Sequence, residues 1–369
     1  MNEQHPFDAP HTVDVNKRKT GVRWWLIISI FGAPFLLIAF GLFVFRVGYT
    51  LRELSGRRAM EVELQKLVSD EYPIDDNSID ELYRSRTSAD HTVEWLALFA
   101  IVESAEFKES CAGVPALDRT VDDEAPFHAV VSQEWEYADV CSTFTADSEE
   151  LIEQIRVLAA APTPTHFPIY FQSNATLLPE VQGVRQLSTI VFVDAQEAIH
   201  VRDSDRAMQD ILTLYYLANH VDAVPCLVAH LVGTANRRQA LQVLQTCVEH
   251  DLLQDDQLLQ IDAMLEIYCD IGSRWQTFIG EELALSLPAF ANPAIVMERS
   301  GTLPARGHDA VFYIGLMRRA MKLGTEDWSS FYSAALELEA EVSSSSETFL
   351  QSTDRILSHV FAPSFGSSW

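Results

Sequence analysis

The feature that most constrains this chain is an uncharged run from Trp24 to Phe45. A helix of these 22 residues would be about 33 Å long, which matches the hydrocarbon core of a bilayer. Its backbone polar groups would be bonded within the helix, as a lipid environment requires. A buried helix of a soluble protein rarely stays apolar on every side over such a length. The run therefore predicts a transmembrane helix.

Basic residues flank this run on both sides. Residues 17–23 hold four Lys and Arg, and residues 46–58 hold four Arg, so the positive-inside rule alone does not decide the orientation. A short basic tail before a single span usually stays in the cytoplasm, which places the large domain outside. The apolar run is longer than that of a cleaved signal peptide. We therefore expect an uncleaved signal anchor in the inner membrane, with a periplasmic or otherwise extracytoplasmic domain.

Charge is divided unevenly along the 369 residues. Residues 1–70 contain nine Lys and Arg and seven Asp and Glu, a net charge of +2, whereas residues 71–369 carry −29. A domain this acidic is repelled by nucleic acid and by anionic lipid headgroups, so we expect no nucleic-acid partner. The apolar fraction of 48% is high enough for a folded core.

Helical periodicity follows the anchor. Met60, Leu64 and Leu67 recur at helical spacing and predict a short stalk. The acidic stretch after it is typical of a solvated linker. Asp90 is the expected N-cap of a helix that runs to about Glu109. The residues from there to 147 lack a period and predict an irregular region.

The strongest helical pattern covers residues 184–290. Four helices are expected there, beginning at about Val184, after the turn Asp203-Ser204-Asp205, after a cap at Asp222, and at Asp255 or Asp256. The second should bury one face and turn Asp210 to water; that face comprises Ala207, Ile211, Leu214 and Ala218. The third should bury Leu227, Leu231, Leu241, Leu244 and Val248. Two such hairpins are compatible with tetratricopeptide-like stacking and equally with an antiparallel bundle.

The expected fold is therefore all-α, with an N-terminal transmembrane helix followed by a multi-helix bundle or a tetratricopeptide-like array of helical hairpins. The expected segments are a disordered cytoplasmic tail at 1–16, the signal anchor with its basic flank at 17–46, a helical stalk and linker at 47–88, a helical and irregular lobe at 89–183, the helical-hairpin core at 184–290, and C-terminal helices at 291–369.

The five cysteines form no C-x-x-C pair, which gives no support to a redox motif or a zinc knuckle. Cys111 and Cys141 lie in a polar region, where a disulfide and two separate thiols are equally compatible with the sequence. Cys226, Cys247 and Cys269 fall within apolar helical patterns and are expected to be buried thiols.

One series of short segments resembles a known group. It consists of His166-Phe167-Pro168, Leu177-Leu178-Pro179 and Arg185-Gln186-Leu187, leading into the turn at Asp203-Ser204-Asp205. On the basis of this series, the chain resembles single-pass, mostly helical, membrane-anchored proteins of planctomycete bacteria. The resemblance covers about residues 24–290. The resemblance implies an envelope location and no particular activity. Many members should continue past the position of Trp369, so we expect this chain to lack a module that they carry.

Common catalytic and nucleotide-binding motifs are missing from the sequence. His220, His230 and Asp222 could approach one another at a metal, but histidines at helix ends are more often solvated or capping, and we expect no metal and no cofactor. His308-Asp309 could pair a base with an acid, although Asp309 also suits a helix N-cap. Glu281-Glu282 after Arg274 is more typical of an ion-paired helix face than of catalytic acids.

Tyrosines and arginines remain as candidates for contact with a partner. The candidates for binding a protein of the envelope are Tyr215, Tyr216, Arg237, Arg238, Arg318 and Arg319. The arginine clusters could also bind lipid headgroups, although they are more typical of a solvated helix face. The sequence thus favours a membrane-tethered, extracytoplasmic helical scaffold or interaction protein. The alternative is an envelope hydrolase with an unrecognised acid–base site. A deep pocket that contains His308 or Glu281 together with a buried carboxylate of perturbed pKa would favour the hydrolase. A long open groove lined by the two tyrosines and by arginines would favour the scaffold.

Overall fold

A computed structural model describes residues 20–118, 129, 131, 134–172, 176–268, 271–291, 307–324, 330, 333–338 and 340. Within these ranges the side chains of 20–39, 49, 52, 267, 268, 271–273, 289, 291, 308 and 309 are outside the description. The expected tail at 1–16, Cys269 and most of the C-terminal segment at 291–369 lie outside the described residues. The pairing predicted for His308 and Asp309 falls on side chains outside the description.

Throughout the described ranges the fold is helical and contains no strand, which confirms the all-α class. The helices are α1 (Thr20–Ser69), α2 (Asp76–Arg86), α3 (Thr92–Glu103), α4 (Ala105–Ser110), α5 (Ala138–Asp147), α6 (Glu149–Ala159), α7 (Pro179–Val201), α8 (Ser204–Asp222), α9 (Leu227–Glu249), α10 (Asp255–Tyr268), α11 (Ile271–Ala291) and α12 (Gly307–Leu323). An isolated parallel bridge pairs Ser88 with Thr165.

Helix α1 is one continuous element of 50 residues, about 75 Å long. It therefore joins the apolar run and the expected stalk without a break. Its apolar side chains at Phe40, Leu42, Phe43, Val44 and Phe45 are between 51% and 72% exposed, whereas Leu67 is completely buried. Among the residues whose side chains are described, no helix is both long enough and apolar enough to cross a membrane. Residues 24–39 of the expected span are outside that set.

The stretch expected to be a solvated linker instead forms helix α2. Asp75 and Ser78 make a reciprocal capping box at its start, and such caps are worth about 1 kcal/mol. Ile79 and Tyr83 are both completely buried. These two large side chains pack the short helix onto the core. In the sequence they stand among acidic residues, so the stretch resembles a solvated linker.

The helix expected from Asp90 to Glu109 is divided in two. Ser104 has extended backbone angles, and its side chain accepts a hydrogen bond from the N–H of Phe107, so it ends α3 and caps α4. Asp90 does not cap α3; its carboxylate accepts a bond from Ser88, and His91 occupies the N-cap position.

Two apolar cores share helix α11. The larger core contains buried residues from Ile79 in α2 to Leu285 in α11, so the expected lobe and hairpin region pack as one unit. The smaller core joins the end of α1 to α11 and α12 around Leu67, Leu283 and Leu316. Helix α11 turns Ala284 to the first core and Leu283 to the second, and thereby connects the stalk to the rest of the molecule.

Helices α7, α8 and α9 each contact the other two. The turn between α7 and α8 is as expected, since Asp203 caps α8 by accepting from the N–H of Arg206. The predicted face of α8 is confirmed: Ala207, Ile211, Leu214 and Ala218 are completely buried. The prediction for Asp210 is wrong, because this residue is also completely buried and receives hydrogen bonds from Arg156 of α6.

The predicted face of α9 is confirmed at Leu227, which is buried, and Leu244 is half-buried against the larger core; the prediction is wrong at the other three residues. Leu231, Leu241 and Val248 are between 41% and 53% exposed, while His230, Asn236 and Cys247 lie inside. Asp222 ends α8 instead of capping α9, and Pro225 precedes α9. At His230 the physical reason is a partner from another helix, because Glu281 of α11 pairs with its imidazole on the inner side of α9.

Candidate functional site

A small cleft lies where four helices meet. The end of α2 brings Arg86, the end of α8 brings Asp222, the start of α9 brings His230, and the middle of α11 brings Arg274 and Phe278. The cleft has a volume of about 310 Å³. The cleft thus brings together residues from separate candidate groups in the sequence, since His230 and Asp222 lie here with Arg274.

Helix α9 approaches the cleft closely because of Gly233. A Cβ at this position would overlap the carboxylate of Asp222 and approach the carbonyl of Ala218. The absence of a side chain therefore lets α8 and α9 pack tightly, and this places His230 beside Asp222.

His230 lies between two carboxylates. Its Nε2 is 2.7 Å from Oε2 of Glu281, and its Nδ1 is 3.6 Å from Oδ1 of Asp222. Its ring stacks on Phe278 with 3.7 Å between the centroids. Burial by itself lowers the pKa of His230, but the hydrogen bonds and charges of Asp222 and Glu281 outweigh it and raise that pKa. The imidazolium form is therefore favoured.

Arginines balance the two carboxylates. Arg86 donates to Oε1 of Glu281 through Nη1, and Arg237 donates to Oδ2 of Asp222 through Nη2. Arg274 lies 3.7 Å from the same Asp222 oxygen. Burial tends to raise the pKa of Asp222, yet His230 and Arg237 hold it below its usual value. The cluster is an ion network that ties α2, α8, α9 and α11 together.

Glu282, which follows Glu281 of this network, is a further acidic residue with a shifted pKa. Burial raises its pKa to about 7, while the N–H of Leu227, 3.3 Å from Oε2, acts in the opposite direction. Tyr313 donates to Ser286 at 3.1 Å, and burial followed by the charge of Glu282 raises the pKa of its hydroxyl. Glu282 thus titrates near neutral pH between the two apolar cores.

The three residues considered as possible metal ligands, His220, His230 and Asp222, do not all meet at one place. His220 accepts from the N–H of Thr165 at 3.0 Å through Nδ1, and its Nε2 lies 3.2 Å from the carbonyl of Ala159. Burial lowers its pKa to about 4, so it is a neutral core histidine. The carboxylates around His230 lie on opposite sides of its ring and do not point to one ion. Within the described part of the chain, no group of His, Cys, Asp or Glu has the arrangement of a metal site.

The cysteines offer no redox pair in the described residues. Cys111, Cys141, Cys226 and Cys247 are free thiols and are buried. Burial and then the charge of Glu197 raise the pKa of Cys141 to about 12, so this thiol is protonated and unreactive.

A second network of buried charges lies between α6, α7 and α8. Arg156 donates to Asp194 at 2.6 Å and to Asp210 at 2.7 Å, and Arg206 pairs with Asp194 and Glu197. Burial, followed by the charge of Asp194, raises the pKa of Asp210 well above its ordinary value despite Arg156. When Asp210 is protonated, the charges of Arg156 and Arg206 balance those of Asp194 and Glu197, and the network of these four residues has no net charge.

The residues expected to bind a partner are dispersed. Tyr215 is 2% exposed and belongs to the larger core, which Tyr216 contacts from a half-buried position. Arg237 is engaged in the cleft, while Arg238 is exposed on α9. Arg318 pairs with Glu63 of α1 and with Asp70, which follows α1, and Arg319 is exposed beside it. Their role in binding a partner stays a prediction.

The Glu281-Glu282 pair also differs from expectation. Glu281 is buried and pairs with Arg86, 195 residues away in sequence, and Arg274 faces Asp222 instead. Arg86, Phe278 and Arg156 carried no signal that singled them out. A polar residue inside an apolar period, such as Asp194, was the available indication of a buried charge.

No family model matches the chain, and neither a curated protein nor a solved structure matches it. The function must therefore be argued from the geometry.

Proposed function

We propose that the protein is a membrane-tethered helical scaffold, which holds an acidic domain at the outer side of a bacterial inner membrane for protein partners. The observation that carries this proposal is the run of exposed apolar side chains from Phe40 to Phe45 on α1. These consecutive residues point to all sides of the helix, and all of them are exposed. A single docking face on another protein would therefore not cover them. Their continuity with the uncharged sequence from Trp24 supports lipid as the solvent.

The domain is attached to this helix without a flexible linker. Leu67 is buried in the smaller core, and Arg318 of α12 pairs with Asp70 at 2.8 Å and with Glu63 at 3.5 Å. The cleft network then joins α11 to α2, α8 and α9. A rigid tether of this kind raises the effective concentration of the domain for partners at the same membrane.

Membrane extraction tests the tether. The full chain should stay in the membrane pellet after alkaline carbonate treatment. Leu36→Arg with Leu37→Arg should release it, since each arginine at the centre of a span costs about 2.5–3.5 kcal/mol. Val62→Arg is the matched control, because Val62 is an exposed apolar residue of the same helix outside the run. Release of the wild-type chain would contradict the tether.

A hydrolase is the second candidate, and Glu282 is the observation in its favour. A carboxyl group with a pKa of about 7 is suited to general acid–base catalysis, and Glu282 follows Glu281, which pairs with His230 of the cleft. Against it, both nitrogens of His230 already face carboxylates. Turnover of generic ester, peptide or glycoside substrates that disappears in Glu282→Gln, while the variant keeps the wild-type melting temperature, would favour the hydrolase over the scaffold.

A further inference from the structure

Two depressions adjoin each other along α3. The first, of about 660 Å³, lies between α3 and α6 and includes Ala97 and Val157 in its lining. The second, of about 740 Å³, continues past Ala100 and Ile101 towards α4 and α5. Ala97 and Ala100 are about one helical turn apart, so the two depressions form one surface, which we name the α3–α6 groove.

The lining of the α3–α6 groove is largely apolar. Val157 is 64% exposed and Ile101 is 44% exposed, while Leu158 and Phe144 form buried parts of the wall. Exposed apolar side chains that share a concave surface, in contrast to scattered ones, are typical of a binding site.

Acidic side chains surround this apolar lining. They are Glu94, Glu149, Glu150 and Glu153 in the first depression and Glu106 and Asp147 in the second. Lys, Arg and His are all missing from the described residues that line either depression. Glu153 lies 3.5 Å from Arg156, but that guanidinium is directed at Asp194 and Asp210. The field at the groove is therefore negative.

We propose that the α3–α6 groove binds a basic amphipathic helix of a partner protein. An apolar stripe on such a helix would cover Val157 and Ile101, and flanking lysines or arginines would meet the acidic rim. The same acids would repel anionic headgroups and nucleic acid. The inference rests on the proposed scaffold function, to which it adds a surface and the chemistry of a partner.

A titration with synthetic helices tests the groove. The full chain is kept in a neutral detergent, so that binding does not depend on membrane insertion. The probe is a fluorescent peptide of about 18 residues with leucines on one face and lysines beside them, and a second peptide carries glutamates in place of the lysines. We expect the basic peptide to bind and the acidic peptide to fail, after subtraction of binding to empty micelles.

Two groove variants and one control complete the test. Glu150→Lys with Glu153→Lys should weaken binding at least about tenfold, because attraction becomes repulsion. Val157→Asn should also weaken it and should leave the fold unchanged, because Val157 is mostly exposed. Asp262→Lys with Glu266→Lys makes the same charge change at exposed positions of α10 and should change affinity less than about twofold. Circular dichroism confirms that each variant is folded.

The proposal is overturned if the wild-type chain does not bind the basic peptide, if the α10 control loses as much affinity as the groove variant, or if Val157→Asn binds normally. These binding results are obtained in detergent and do not depend on membrane insertion. Carbonate extraction instead measures whether the chain is held in the membrane. A chain that leaves the membrane but binds the peptide would contradict the scaffold alone, and a tethered chain without peptide binding would contradict the groove alone.

Discussion

Ionisable side chains lie inside this helical protein at two junctions between helices. Arg156 pairs with Asp194 and Asp210 at the first, and Glu281 pairs with Arg86 and His230 at the second. Removing one member of a buried ion pair is costly because its partner remains buried without compensation. The consequences of substitution should therefore depend on which member is removed.

Arg156→Ala should lower the free energy of unfolding by about 2–3 kcal/mol, because the completely buried Asp210 would lose the guanidinium that donates to it and Asp194 would keep Arg206 alone. Arg84→Ala is the control, since Arg84 is exposed and pairs with Asp80 across one turn of α2; it should cost less than about 1 kcal/mol. Urea unfolding of both variants measures the difference. Equal midpoints would mean that the network around Arg156 does not stabilise the fold.

The free energy of unfolding should fall as pH rises from 6.5 to 8.5. The folded-state pKa of His230 is raised, so its bound proton stabilises the folded chain fully below the ordinary histidine pKa, and this stabilisation is lost as pH rises through the folded-state value. Glu282, with its pKa raised to about 7, acts in the same direction from its ordinary carboxyl value up to neutral pH. His220, with its pKa lowered to about 4, acts oppositely, but only below its ordinary value.

Urea midpoints at pH 6.5, 7.5 and 8.5 measure this slope. His230→Gln should flatten it above the ordinary histidine pKa, where the wild-type chain loses the proton of His230. His250→Gln should leave it unchanged, since His250 is exposed at the end of α9. A slope that persists in His230→Gln would assign the effect to other groups.

At the scale of elements, α1 and α12 meet by direct backbone contact. A Cβ at Gly307 would overlap the backbone of Gly56 and Arg57, whereas a Cβ at Gly315 of the same helix would meet nothing within 4 Å. The start of α12 therefore depends on the absence of a side chain, and this contact sets how the stalk enters the smaller core.

Gly307→Ala should consequently destabilise the chain, because a backbone cannot yield as the end of a flexible side chain can. Gly315→Ala should leave stability unchanged or raise it by up to about 1 kcal/mol, from the better helix propensity of alanine. Thermal unfolding followed by circular dichroism separates the two. A normal melting temperature in Gly307→Ala would show that α1 and α12 are more loosely packed than the structure has them.

At the scale of the whole molecule, the acidic domain continues directly from the stalk. We expect its N-terminal residues to be intact in the mature protein and the acidic domain to be digested by protease added to spheroplasts. N-terminal sequencing that begins after Phe45 would contradict an uncleaved anchor. Protection of the domain from protease would instead contradict the extracytoplasmic orientation.

Folding of the whole chain should require no metal. Chelator should leave the helical circular dichroism and the melting temperature unchanged, and elemental analysis of the purified chain should find no stoichiometric zinc or iron. The physical basis is that two apolar cores stabilise the fold and that, among the described residues, no group of His, Cys, Asp or Glu has the arrangement of a metal site. One tightly held equivalent of metal, with unfolding on its removal, would contradict this.

The sequence by itself determined the features that depend on near neighbours. The all-α class follows from the helical period, the turn at Asp203 from its own capping bond, and the buried face of α8 from four apolar residues at regular spacing. The tertiary structure decided which polar residues turn inward. Asp210 is buried because Arg156 reaches it from 54 residues away, and Glu281 because Arg86 reaches it from 195. The helical period of apolar residues predicts which hydrocarbon side chains are buried. It does not predict that a charged side chain is buried because its partner lies on a helix distant in sequence.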